Sequence, residues 1–170
     1  MFSDLILRKA RHSRFFMWLL NARLSRMIPF NKPHGFRVYA LGDHSVTTII
    51  PYRAANFNHI KGLHACGLAT ISEFTSGLAL LMHLEPRKYR IILQRLEMDY
   101  HYQGKMDAFG YFEATPDWIR SWVTDPLTHA DSVVVPCEVR INDAAGNHLT
   151  TGKVFWQVKP WSKVRTKPSA

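Results

Sequence analysis

The residues that could do chemistry lie between Asn58 and Leu84, in the stretch NHIKGLHACGLATISEFTSGLALLMHL. Glu73 is the one formally charged residue from Gly62 to Met82. A carboxylate in an apolar helix is costly to bury unless it is paired or put to use. The same surroundings make it a stronger base, because desolvation raises its pKa. Two polar residues precede it at a notable spacing: Asn58, His64 six positions on, then Glu73 nine further. Each has two readings. Glu73 faces a substrate, or it pairs with an Arg or His across a subunit interface. His64 joins the chemistry, or it caps a helix start. Asn58 positions a reactant, or it makes a turn. Cys66 is two positions from His64, a spacing at which helical side chains do not face each other, and no third group orients the pair. His59, His83, His101, His129 and His148 show no H-E-x-x-H spacing, and no metal is expected.

These residues need a helix and a turn to hold them. The spacing of Leu68, Ile71, Thr75, Leu78, Ala79 and Met82 predicts a helix over 64–84 with one apolar face, ended by Pro86. A second face holds Ala69, Thr70, Glu73, Ser76 and Gly77, mostly small. Gly77 costs a helix about 1 kcal/mol relative to Ala, which implies close approach by a strand, a partner chain or a ligand. Around this helix the chain reads as strands: 35–41 and 44–52 as a hairpin across Gly42-Asp43, 88–103 and 108–114 as a second hairpin across Gly104-Lys105, and 132–142 and 149–158 as a third. Residues 115–128 read as a short helix or irregular chain. Residues 2–28 read as one amphipathic helix, broken by Pro29 and Pro33. Strands and helices are segregated, which predicts an α+β domain with an antiparallel sheet packed on one central helix.

Length and charge bound the rest. A chain of 170 residues fits one main domain. The formal net charge of +9 is concentrated at the ends. Met1–Arg37 holds eight Lys/Arg against one acid, and Lys153–Ala170 holds five against none. Such ends suit phosphates, or a membrane surface met weakly through residues 1–28. No aromatic–basic RNA motif is present, so nucleic acid is not an expected partner. No run approaches the roughly 18 apolar residues of a transmembrane helix. Two cysteines make no disulfide framework, so a reducing cytoplasm is the simplest setting.

The Asn58 loop, His64 at a helix start and an acid in the helix that follows together resemble the hotdog-fold acyl-CoA thioesterases, over residues 30–159 or so. The resemblance implies a sheet wrapped around a long central helix. It implies a domain over 30–160, with residues 1–29 as an N-terminal helix and 161–170 as a basic tail. It implies a homodimer or a dimer of dimers, with Glu73 facing the Asn58 loop of the partner subunit. Glu73 would be general base or nucleophile, Asn58 would position water or thioester, and the Ala65 amide would meet the oxyanion beside His64. Gly62, Cys66, Gly67, Thr70 and Gly77 would line the substrate site. The CoA thioester would be substrate, with no other cofactor. Two departures stand out: Ala65-Cys66 occupies the place of the family's Gly-Gly, and Glu replaces the commoner Asp. Ser76 is the candidate to hold the water. The alternative on the same fold is a non-catalytic acyl-thioester or fatty-acyl binding protein, which the Ala65-Cys66 change favours.

Overall fold

The computed structural model describes residues 4–165. Six antiparallel strands form one sheet: β1 (Arg37–Leu41), β2 (Ser45–Ile50), β3 (Tyr89–Tyr100), β4 (Ala108–Glu113), β5 (Val133–Asp143) and β6 (His148–Pro160). Their order across the sheet is β1-β2-β4-β5-β6-β3. The long helix α4 (Ala65–His83) packs against β2, β4, β5 and β6, so the sheet wraps around it as expected. Leu68, Ile71, Phe74, Leu78 and Leu80 of α4 are buried against Val46, Ile50, Val135, Val139 and Val154 of the sheet. Full burial of each such side chain contributes about 1.5–3 kcal/mol. That total outweighs the burial of Ser72, Thr75 and Ser76, whose hydroxyls donate back to the carbonyls of Leu68, Ile71 and Ser72. By length and hydropathy α4 could cross a membrane, contrary to the sequence expectation, but more than half of it is buried inside this domain.

Two of the three expected hairpins form. β1 pairs with β2 and β5 with β6. The hairpin expected over 88–114 does not form: β3 pairs with β6, at the sheet edge, while β4 lies between β2 and β5. The turn around Gly104 carries a crossover along the end of the sheet. Its passage is tight, since a Cβ on Gly104 would lie 2.8 Å from Leu149 Cδ1 and 3.0 Å from Leu63 Cδ1. Pro136 sits inside β5, a place usually closed to proline. It is tolerated because β4 reaches only Arg140–Asp143 of that strand, leaving Pro136 with β6 on one side.

The N-terminal segment is two helices, not one: α1 (Asp4–Ala10) and α2 (Arg14–Met27). Ser13 divides them, its hydroxyl accepting from Phe16 N–H as the cap of α2. Residues 2 and 3 of the expected helix lie outside the described residues. Pro33 does not break a helix. It sits within the short α3 (Asn31–His34), close enough to its start for the missing N–H to cost nothing. α2 lies along β1, where Asn21 takes both backbone groups of Val38: Nδ2 donates to Val38 O at 2.9 Å and Oδ1 accepts from Val38 N–H at 2.8 Å. The segment 115–128 begins with a short helix, α5 (Pro116–Ile119), capped by Thr115. The expected basic tail after Pro160 is tied to the domain at its start: Trp161 donates through its ring N–H to Pro86 O, and Lys163 pairs with Asp131 at 2.9 Å. Residues 166–170 of that tail lie outside the described residues.

Candidate functional site

The polar turn before α4 is built from its own side chains. Asn58 Oδ1 accepts from Ile60 N–H at 3.1 Å and from Gly62 N–H at 2.9 Å, which bends residues 58–62 back on themselves. Lys61 takes the left-handed conformation that completes the bend, with φ 57°. Asn58 thus serves the turn with its oxygen, and its Nδ2 has no partner among the described residues. A bridge between Phe57 and Leu63 closes the loop.

His64 is the N-cap of α4. Its Nδ1 accepts from Cys66 N–H at 3.1 Å, so a neutral imidazole carries its proton on Nε2 and directs that donor outward. The Cys66 amide is occupied by this cap. The Ala65 N–H, at the first helical position, has no partner among the described residues and points from the positive end of α4. Tyr100 fixes the same turn from β3, its hydroxyl donating to Ala65 O at 3.0 Å. His64, Cys66, Gly67 and Thr70 share a hollow of about 260 Å³ with Phe30, His34, Phe36 and Asn56. Asn58 and Gly62 do not line it.

Glu73 lies elsewhere. It opens on a cleft of about 590 Å³ between α2, α4 and the start of β3, walled by Leu24, Met27, Ile28, Leu78, Leu81 and Trp156 among others. Its carboxylate is half-buried, with no hydrogen bond or ion pair among the described residues, and burial raises its pKa above the ordinary glutamate value. Arg90 lines the same cleft, its Nη2 donating to Gln157 at 3.0 Å while its buried Nε has no partner among the described residues. Glu73 lies nine positions after His64, which places them on opposite sides of α4 and about 13.5 Å apart along its axis. Within one chain the two groups therefore do not meet. Cys66, Thr70, Glu73 and Gly77 instead form one stripe along α4, from the first hollow to the cleft, at the spacing of a helix face. Cys66 is exposed and Thr70 and Glu73 are half-buried.

The close approach implied by Gly77 is made by β6. A Cβ there would lie 2.8 Å from the Trp156 ring. Ser76 is committed to the same contact: its Oγ accepts from Trp156 Nε1 at 3.0 Å and donates to the helix backbone, so it cannot hold a water for Glu73. Residues missed in the sequence include Asn56, which is buried and ties the loop together. Its Nδ2 donates to His34 O and Pro51 O, and its backbone carbonyl accepts from His64 N–H. Its place two positions before Asn58, in the same loop, is the only sequence signal for it.

Comparison with known proteins supplies the relatives. The solved structure of PA5026 from Pseudomonas aeruginosa, a protein of unknown function named "Probable Thioesterase", is 20% identical with a TM-score of 0.74, over 90% of this chain and 95% of that one. A mutant form of thioesterase PA1618 from Pseudomonas aeruginosa is 13% identical with a TM-score of 0.66, over 82% and 93%. Thioesterase HI1161 from Haemophilus influenzae is 11% identical with a TM-score of 0.64, over 81% and 88%. No curated protein matches the sequence. These structural neighbours carry the same sheet around the same helix, and the fold of this chain is the hotdog fold. Residues 17–158 match the family described as "Domain of unknown function (DUF4442)", and the chain belongs to that family.

Proposed function

We propose that the protein hydrolyses acyl thioesters, with acyl-CoA as the fitting class, and that it does so as a dimer. The observation that carries this reading is Glu73: a carboxylate with no ion pair among the described residues, its basicity raised by burial, at the side of an apolar cleft able to take an acyl chain. The names of the hotdog neighbours support the same reaction class. In the proposed step Glu73 takes a proton from water as the water oxygen attacks the thioester carbonyl carbon. The Ala65 N–H of the other copy donates to the oxyanion. Collapse of the tetrahedral intermediate breaks the C–S bond, and the proton held by Glu73 passes to the leaving thiolate, giving a carboxylic acid and free CoA thiol. Asn58 Nδ2 and His64 Nε2–H are the side-chain donors that would hold the thioester beside this amide. Basic surface would meet the CoA phosphates.

Two features favour assembly from two copies. Glu73 and Ala65 of one chain lie about 12 Å apart along α4, so an antiparallel approach of two α4 stripes brings acid and amide together. The small side chains of Ala65, Cys66, Ala69 and Thr70 leave room for that approach. β3 offers the means, as a long edge strand with its outer backbone groups unpaired among the described residues and Ile92 and Leu93 exposed.

The occupied Cys66 amide favours a second reading, an acyl-thioester binding protein that holds substrate without hydrolysing it. Hydrolysis of a panel of acyl-CoAs by the wild type, Glu73→Gln and Glu73→Ala separates the two. The hydrolase reading expects a fall in kcat of about 10²–10⁴-fold in both variants. Turnover unchanged by the substitutions overturns it. A wild type that binds acyl-CoA without turnover establishes the second reading.

A further inference from the structure

The outward face of α2 has the wrong composition for water. Viewed along the helix, Leu20 and Leu24 point inward and are buried. The opposite side carries Phe15, Trp18, Leu19 and Ala22, and Phe15 and Trp18 are 63% and 64% exposed. Their rings touch at 6.1 Å between centroids, and Leu19 continues the ridge one turn on from Phe15. A solvent-facing helix surface normally holds charged and polar residues. Here those residues form the rim. Arg14 and Arg26 stand at the two ends of the ridge and are exposed. Arg37 and the exposed Tyr39 border the surface hollow that Arg14 and Trp18 also line. Exposed Arg8 and Lys9 lie on the adjoining α1, with Lys9 Nζ 4.9 Å from the Phe16 ring centre. From Arg8 to Leu41 the sequence has eight Lys/Arg and no acid.

We infer that this face docks on an anionic lipid surface, with Phe15, Trp18 and Leu19 entering the headgroup region and Arg14, Arg26 and Arg37 meeting lipid phosphates and carboxylates. An aromatic ridge within a basic rim is the pattern of a helix lying in the membrane interface. Charge decides between the two occupants that could cover it. In a two-fold contact between copies the same patch meets itself, which sets one row of arginines against another and costs energy. A negatively charged bilayer meets the same arginines with attraction, roughly fivefold in affinity for each. The contact uses only the outer face of α2, because the inner face is spent on the core and on the cleft beside Glu73. The inference stands apart from the hydrolase reading and does not need it.

Co-sedimentation of the full chain with phosphatidylcholine vesicles, with and without phosphatidylserine, tests it. Two variants are compared with the wild type: Phe15→Ser with Trp18→Ser, and Arg14→Glu with Arg26→Glu. All four side chains are exposed, and circular dichroism confirms folding of each variant. The wild type is expected to bind the phosphatidylserine vesicles, and to lose binding as salt rises. The aromatic pair is expected to weaken binding by about tenfold or more, through loss of two inserted rings. The arginine pair is expected to weaken it by about 25-fold or more. Absence of binding to phosphatidylserine vesicles overturns the inference, as does equal binding by all three proteins. A fall in solution mass on replacing Phe15 and Trp18, with no vesicle binding by the wild type, overturns it in favour of an interface between copies.

Discussion

In the proposed hydrolysis Glu73 sits under two opposed demands. As a base it is improved by its apolar surroundings, and as a part of the folded chain it is a burden to them. Its pKa is raised by burial above the ordinary glutamate value of 4.5. A general base works as the carboxylate, so kcat/KM for a thioester is expected to fall towards acid through that raised pKa, with the acid limb above pH 4.5. A pH–rate profile checks this, and an acid limb at or below 4.5 contradicts it. The stability effect runs the other way. Between the unfolded and the raised folded pKa, the folded state holds a proton that the unfolded state lacks. Stability therefore declines as pH rises through that window and is flat above it. Glu73→Gln removes the burden, so urea denaturation at neutral pH is expected to show a gain of about 0.5–2 kcal/mol. The gain should vanish below pH 4.5. At this scale the sequence was informative where a residue was out of place for its own neighbourhood, as a lone acid in an apolar run is. Asn56, Asn21 and Trp156 were silent, because each acts through a partner far along the chain: Asn56 through His34 and His64, Asn21 through Val38, Trp156 through Ser76.

Among the elements, α4 was legible because its apolar spacing and its stop at Pro86 are local facts. The alternation of Val133, Val135, Cys137, Val139 and Ile141 made β5 legible for the same reason, and burial follows that parity through most of the strand. The partnership of β3 was not legible. A turn signal at Gly104 says where the chain bends and nothing about which strand it joins next. Likewise Ser13 marks the division between α1 and α2 only once it is seen to accept from Phe16 N–H. The contact of α4 with β6 accounts for two residues of the small face, Ser76 and Gly77. Gly77 makes room for the Trp156 ring, and the Ser76 hydroxyl satisfies its ring N–H in a buried place. Ser76→Ala leaves that donor unpaired and is expected to cost about 1–3 kcal/mol in urea denaturation. If Ser76 instead held catalytic water, the same variant would lose hydrolysis while keeping its stability.

For the whole molecule the two edges of the sheet matter most. The β3 edge is long and open among the described residues, while the β1 edge is engaged by α2 through Asn21. Light scattering is expected to find two chains in the particle, 2 × 19.6 = 39.2 kDa, joined at β3. A monomer at micromolar concentration would remove the assembly on which the proposed site depends. Asn21→Ala exposes the N–H and C=O of Val38 and is expected to produce species larger than two chains.

The Asn21 contact thus has a meaning in terms of valence. A sheet with two free ends can be extended from both sides without limit, and repeated addition leads to a filament. One carboxamide, by occupying a single residue of β1, leaves the molecule with one free hand. In the proposed dimer, growth by strand addition then ends at the first handshake.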